Sequence, residues 1–493
     1  MTKTTNNTIQ SFWIAIGSFS SFAISIVSVA ILSRYFTKED YGTYRQVIYI
    51  YNTLLVVFSA GLPRVFSYYL PRYELEKGKD IVLKISKVLL LTGMIFSVTL
   101  FLGAPLISVL MNNPDIKDGL RLFSIVPMFM LPSLGVEGIL ATYKKTLYIA
   151  VYNILSRLVM LAFIVLPILF IKVDYHYSLI GWGCSSIFTF FLAIYFKNIP
   201  FKGLLKVKSG LSLKEILTYS LPLLVASLGS IAIKSADQFF VSRYFGAEVF
   251  AEYSNGFMEI PIVGMITFSV SAVLMPLFSK IDNDSTSRVE IINLWKSAIM
   301  KSAMIIYPII VFFWYYAPEI MTILYSSAYI ESATYFRIAI LTNFFNIIMF
   351  APLLLSLGKT KFYSNILLLF AGFAWVGAYF VIIIFNTPTA LAYFSVFRAI
   401  SLTLIAFYYA SKCVNTNFLT LFPIRKLLGL FLYSSICLYI TNSFVSLLFI
   451  NYDSIFYLIV NSIAFFIFVI SISKVVKLDY INLVKPLFMR IFK

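Results

Sequence analysis

The chain is an almost unbroken succession of apolar stretches about 20 residues long, the length a helix needs to cross a hydrocarbon core about 30 Å thick. About fourteen can be counted, near 10–33, 44–70, 86–111, 119–142, 147–171, 177–196, 215–240, 250–278, 293–316, 333–357, 362–386, 389–411, 427–449 and 455–473. In hydrocarbon each backbone N–H and C=O must be paired inside its own segment, so the pattern predicts an all-α polytopic membrane protein. Composition agrees, because 60% of residues are hydrophobic and only 12% charged, where soluble chains carry about a quarter charged. The first stretch is too long and too rich in serine for a cleaved signal peptide and is read as a retained span. Cys184, Cys413 and Cys437 have no paired spacing, and His176 is the one histidine, so neither a disulfide framework nor a metal site is implied. His176 is expected on a short outer loop in a surface role. No Gly-x-x-x-x-Gly-Lys-Ser/Thr loop is present, so neither ATP hydrolysis nor any other cofactor is indicated.

Charge placement orients the spans. With the N-terminus in the cytoplasm, twenty-seven Lys and Arg fall on one side and seven on the other, namely Arg34, Lys38, Arg45, Lys117, Arg121, Lys172 and Arg243. Short loops keep basic residues in the cytoplasm, so this asymmetry implies an even number of spans with both termini cytoplasmic. Membrane orientation thus accounts for the net charge of +18 without a nucleic-acid partner. No loop exceeds a couple of dozen residues, which leaves no soluble catalytic domain, so the chain is read as a non-enzyme whose function lies among its helices. Two basic segments, 201–214 and the tail 474–493, have the composition of interfacial pieces that rest on membrane lipids.

The chain also repeats itself. Ser33-Arg34-Tyr35-Phe36 recurs as Ser242-Arg243-Tyr244-Phe245, and Glu39, Tyr41 and Tyr44 recur as Glu248, Phe250 and Tyr253, all at an offset of 209. The expected organisation is an N-terminal lobe over 1–200, a linker over 201–214, a C-terminal lobe over 215–411, an additional helix pair over 412–473 and the tail. Each lobe holds six helices. Both copies start on the same side, so the lobes are expected as parallel repeats related by an axis along the membrane normal, with a cleft between them.

The loop Ser33-Arg34-Tyr35-Phe36 with Glu39-Asp40-Tyr41-Gly42, and the run from Tyr219-Ser220-Leu221-Pro222 through Asp237 to Tyr253-Ser254, resemble the polysaccharide or O-antigen flippases. These form part of the multidrug/oligosaccharidyl-lipid/polysaccharide exporter superfamily, and the resemblance covers the whole length. It implies movement of an undecaprenyl-pyrophosphate-linked oligosaccharide from the cytoplasmic to the outer leaflet of the bacterial inner membrane. The route would be alternating access through a cationic central cavity, serving O-antigen, capsule or exopolysaccharide biosynthesis. A polysaccharide polymerase and a chain-length regulator would be further partners. Two spans beyond the family's twelve are similar to those of lipid II flippases, whose final helices are thought to form a groove for the lipid tail. A multidrug cation antiporter of the same superfamily and a lipid II flippase are the alternatives.

Physics agrees with the need for such a cavity. Moving one unpaired hydroxyl from water to hydrocarbon costs about 4–8 kcal/mol, so an oligosaccharide needs a polar path. A pyrophosphate needs positive partners, which points to ionisable residues within spans. Arg64, after Gly61-Leu62-Pro63, is the first candidate, its bland alternative being a buried pair with Glu137. Arg157 and Arg398 are also deep, and packing hydrogen bonds are their alternative. Arg337 lies near an outer end above Asn343 and Asn346. Glu137 and Glu259 are the deep carboxylates that a coupling ion would use. Arg34 and Arg243 are repeat-related outer-end residues, and Lys234 and Asp237, three apart, are expected to pair. Ser18, Ser21, Ser25 and Ser28 form a stripe that suits close packing or sugar contact equally.

Overall fold

The structure, a computed structural model, describes residues 7–279, 285–448 and 454–473, with Leu478 and Tyr480; the expected interfacial tail 474–493 otherwise lies outside the described residues. All regular secondary structure in them is helical. Twelve helices are long and apolar enough to cross a membrane, or thirteen when one bent pair is taken as a span. The expected stretch 333–357 is not among them, because it folds as two short helices around a 3₁₀ turn. The chain divides into two compact units, Met1–Ser254 with Leu324–Ser326, and Asn255–Ile323 with Ser327–Lys493.

The first unit contains α1 (Asn7–Tyr35), α2 (Lys38–Ser59), α3 (Leu62–Tyr69), α4 (Leu75–Met111) and α5 (Ile116–Phe123). It continues with α6 (Ile125–Ser133), α7 (Val136–Thr142), α8 (Thr146–Phe170), α9 (Tyr175–Asn198) and most of α10 (Leu213–Gly256). Side-chain caps start three of these helices: Thr37 accepts from the Asp40 N–H, Asp174 from the His176 N–H, and Ser212 from the Glu215 N–H. The loop residue Asp174 is partly buried, which opposes ionisation, yet the His176 N–H and ring and Lys172 hold its carboxyl below the usual carboxylate range. Large apolar side chains such as Leu102, Phe170 and Phe191 stand exposed, the arrangement of a surface solvated by hydrocarbon.

Two spans of this unit are broken. α2 and α3 bend by 44° where Ala60 and Gly61 take left-handed conformations, and Pro63 falls in the first turn of the new helix, where its missing N–H costs nothing. Ala60-Gly61 thus makes the break and Pro63 restarts the helix. α6 and α7 part at Leu134-Gly135, with Gly135 at φ 86° against the Phe66 ring.

Residues 202–212 carry no helix, and several of their polar groups are taken up by α4. Asp80, buried, accepts from the Ser209 N–H at 2.9 Å and pairs with Lys84 at 2.9 Å and Lys206 at 3.3 Å. Lys79 and Lys84 donate to the carbonyls of Leu204 and Leu211.

The second unit begins at the end of α10 and holds α11 (Pro261–Ser279), α12 (Ser285–Tyr315), α13 (Ala317–Tyr325), α14 (Ser332–Ile340) and α15 (Phe350–Ser356). There follow α16 (Thr360–Phe385), α17 (Pro388–Cys413), α18 (Phe418–Leu421), α19 (Ile424–Leu448) and α20 (Ser454–Ile472). The final pair is tied to the end of α12 by one amide. Asn442 Oδ1 accepts from Tyr316 at 2.6 Å, Tyr457 at 2.8 Å and Asn461 at 3.2 Å, while its Nδ2 donates to Tyr315 at 3.1 Å. The fourth span of each half is interrupted, at 134–135 and again between α14 and α15, close to the repeat offset.

Gly135→Ala should destabilise the first unit by about 1–3 kcal/mol, because it forces a left-handed alanine and sets a methyl about 2.3 Å from the Phe66 ring. Thermal unfolding in detergent checks this, with Gly264→Ala, which meets nothing within 4 Å, expected to melt like the parent.

Candidate functional site

The α6–α7 break and the start of α3 line the same cavity of about 640 Å³. A broken helix leaves unpaired N–H and C=O groups, and these are tolerated at membrane depth only against protein or a polar hollow. α3 contributes Pro63, Arg64 and Ser67, and the α6–α7 break contributes Ser133 to Gly138. α8 adds Asn153, Ser156 and Arg157, and α9 adds Trp182, Ser185 and Thr189. Ser18 and Ser21 of α1 complete the polar wall, so that half of the serine stripe faces this cavity.

Three residues singled out from the sequence therefore meet here: Arg64, Arg157 and Glu137. The alternative for Arg64, a buried pair with Glu137, is not formed among the described residues. Instead Glu137 Oε1 accepts from Asn153 Nδ2 at 2.8 Å, and among the described residues the Arg64 guanidinium has no hydrogen-bonded or ionic partner. Among the described residues the Arg157 guanidinium donates to the Met160 sulfur, at 3.5 Å, a weak acceptor. Two guanidinium groups thus line one cavity with hydroxyls, amides and a single carboxylate.

A smaller cavity of about 120 Å³ shares Arg157, Met160 and Trp182 with the larger one and adds Ser25, Ser28 and Arg45. Sequence reasoning had left Arg45 in a loop count, and it missed Asn153 and Trp182 altogether. The spacing of Asn153 and Arg157, four apart on α8, was the only available signal. Lys197 was counted as a cytoplasmic charge, yet it is buried behind the α6 break, donating to the Pro132 carbonyl at 2.7 Å and Ser86 at 3.2 Å beneath the Phe66 ring.

The other candidates are placed elsewhere. Arg398 is 3% exposed, donates to Ser395 at 3.2 Å and lies over the Phe394 ring, and it lines none of the cavities described here. Glu259 stands exposed in the non-helical segment between Gly256 and Pro261, where the expected span 250–278 is interrupted. Arg34 donates to the carbonyls of Ala30 and Leu324, and Arg243 to those of Val109 and Leu110. Asp237 is buried and accepts from the Tyr253 hydroxyl at 3.0 Å, and Lys234 lies one turn before it. Asn346 donates to Asn343 at 2.7 Å.

Arg337 borders a second site, within the second unit. Its guanidinium donates to the carbonyls of Trp314 and Tyr315, closing the C-terminus of α12. It lines a largely apolar cavity of about 590 Å³ with Tyr393, Leu438 and Tyr439. An adjoining cavity of about 500 Å³, lined by Phe418, Phe422, Leu427 and Leu428, shares Phe344 and Phe431 with it. Together they make an apolar trough with one cationic end.

Comparison with known proteins places this architecture. The profile of the polysaccharide biosynthesis protein family matches residues 31–334. Among solved structures, a lipid II flippase MurJ in an inward closed conformation superimposes with a TM-score of 0.69 at 17% identity, covering 94% of this chain and 98% of that one. An inward-facing multidrug resistance MATE family transporter of the MOP superfamily gives 0.60 at 12% identity, covering 81% and 94%. A MOP superfamily transporter from Pyrococcus furiosus, described by the reverse polarity of its binding pocket, gives 0.55 at 14%, covering 82% and 94%. A search of curated proteins returned no match. These likenesses establish the fold as that of MOP superfamily transporters.

The two deep arginines should separate on mutation. Arg157→Met is expected to leave the unfolding temperature near that of the parent, since its one recorded side-chain partner is a sulfur, whereas Arg398→Met should cost about 1–3 kcal/mol. Thermal unfolding of the purified variants checks both.

Proposed function

We propose that this chain, which belongs to the polysaccharide biosynthesis protein family, is a flippase for undecaprenyl-pyrophosphate-linked oligosaccharide repeat units. It carries them from the cytoplasmic to the outer leaflet of a bacterial inner membrane during surface polysaccharide assembly. The loops with the basic excess face the cytoplasm, and the two repeat halves alternate access to the cargo.

The observation that carries this reading is the cavity in which Arg64 and Arg157 stand without a carboxylate partner among hydroxyl and amide groups. Guanidinium forks suit phosphate oxygens, and the serines, Thr189 and Asn153 suit sugar hydroxyls. The apolar trough of the second unit, ending at Arg337, suits a polyprenyl chain. A multidrug antiporter for cations would call for the opposite polarity. The sign of the cavity therefore favours an anionic cargo. Which glycan is carried, and whether a polymerase and chain-length regulator bind the chain, belongs to the same proposal.

Export of about two negative charges down a potential of 100 mV, inside negative, gains roughly 4–5 kcal/mol, so membrane potential is a sufficient driving force. A second reading, coupling to a proton or sodium ion, rests on Glu137 and its Asn153 partner facing the cavity.

Arg64→Ala, expressed and folded, should abolish complementation of a flippase-null strain and leave lipid-linked oligosaccharide in the inner leaflet, with Arg64→Lys retaining part of the activity. Full complementation by Arg64→Ala overturns the assignment. Glu137→Gln should remove any dependence of transport on a proton or sodium gradient; if that dependence is unchanged, the coupling reading fails and potential alone remains.

A further inference from the structure

Arg45 belongs to two places at once. From α2 it lines the smaller cavity beside Arg157 and Trp182, and its Nε and Nη2 donate to Ser254 Oγ at 3.2 Å and Ser254 O at 3.4 Å. Ser254 is its own counterpart, 209 positions later. Two repeat-related residues in contact mark the place where the two copies of the motif face one another within the first unit. The same junction holds Lys38 against Glu252 at 2.7 Å and Gln46 against Ser242 at 2.7 Å. It is closely packed, since a Cβ on Gly42 would sit 2.1 Å from the Ala247 carbonyl oxygen.

The three guanidinium groups form a sequence along the first unit. Arg64 lies beyond the α2–α3 break, Arg157 is shared by both cavities, and Arg45 lies about 19 residues before Arg64, up to roughly 28 Å away along the bent helix pair. The smaller cavity, about 120 Å³ against about 640 Å³ for the larger, suits a small anion better than a sugar chain.

We infer that Arg45 is a second station for the phosphate of the cargo, and that loading it draws the guanidinium from Ser254 and loosens the junction between the motif copies. The inference rests on the flippase reading above. Two of the five N–H groups of Arg45 are used on neutral oxygens, at distances near the long end for such bonds. A phosphate oxygen makes charge-assisted bonds roughly twice as strong, so it outcompetes serine for the same fork. A ligand shifts a conformational equilibrium only through contacts that differ between the states, and this exchange supplies one. The cargo thereby opens its own exit as it advances from Arg157.

The full-length protein, with Cys184, Cys413 and Cys437 replaced and Ser242→Cys introduced at a buried junction position, tests this through labelling by a thiol reagent. Undecaprenyl pyrophosphate should raise the labelling rate several-fold and undecaprenol should not. Arg45→Gln should abolish the rise while retaining binding, Arg45→Lys should restore part of it, and Ser254→Ala should raise labelling about two-fold without ligand. A response unchanged in Arg45→Gln, or no response in the parent despite bound lipid, overturns the role of Arg45 and leaves the flippase reading standing. Absence of binding by undecaprenyl pyrophosphate, or binding untouched by Arg64→Ala, overturns the flippase reading and this inference with it.

Discussion

Hydrocarbon offers no partner to a peptide group, and the rest of the structure follows from how this chain meets that constraint. Most of its backbone is locked into helices, and where a span is broken within the first unit, the freed groups face either protein or one polar hollow. Of the breaks at Ala60-Gly61 and Leu134-Gly135, the second lines that hollow and the first is followed by Pro63, Arg64 and Ser67, which line it too. Lys197 secures one of them from behind, taking the Pro132 carbonyl that the end of α6 leaves open.

Charges in the spans are divided between two uses. Arg34, Arg243 and Arg337 donate to backbone carbonyls, those of Arg243 and Arg337 near helix C-termini, where the helix dipole and the orphan acceptors both favour a cation. Arg64 and Arg157 are given no such acceptor and face the cavity. The distinction matters for mechanism, since a guanidinium already bonded to carbonyls contributes to packing and one without a partner is available to a ligand. Arg45 stands between the classes, bonded to Ser254 on one side and bordering a cavity on the other.

Much of the candidate site was legible as residue types but not as a place. Glu137, Arg64 and Arg157 stood out because ionisable groups in apolar stretches are costly, yet Arg398 satisfied the same criterion and lies buried on Ser395 away from the cavities. Depth along a helix is read from residue number, whereas the direction a side chain faces depends on the neighbouring helices. Glu259 shows a further limit, for the Gly256–Pro261 interruption that removes it from a helix falls within the span drawn over 250–278, although Ser254, Asn255, Gly256 and Pro261 are turn-forming residues there. The segment 333–357 misled in the same way, since hydropathy does not register a break that tertiary contacts sustain.

The sequence by itself determined that the chain crosses a membrane many times as helices, that it contains a duplicated motif offset by 209, and which few residues carry charge into the spans. These are properties of local composition and spacing, and the bilayer enforces them segment by segment. Only the tertiary structure decided that Arg64, Arg157, Glu137 and Asn153 share a cavity, that Arg45 meets its own repeat counterpart, and that Arg34 and Arg243 are spent on carbonyls. Helix packing brings together residues far apart in the chain, and the rotation of each helix about its axis is set by contacts that no single span encodes.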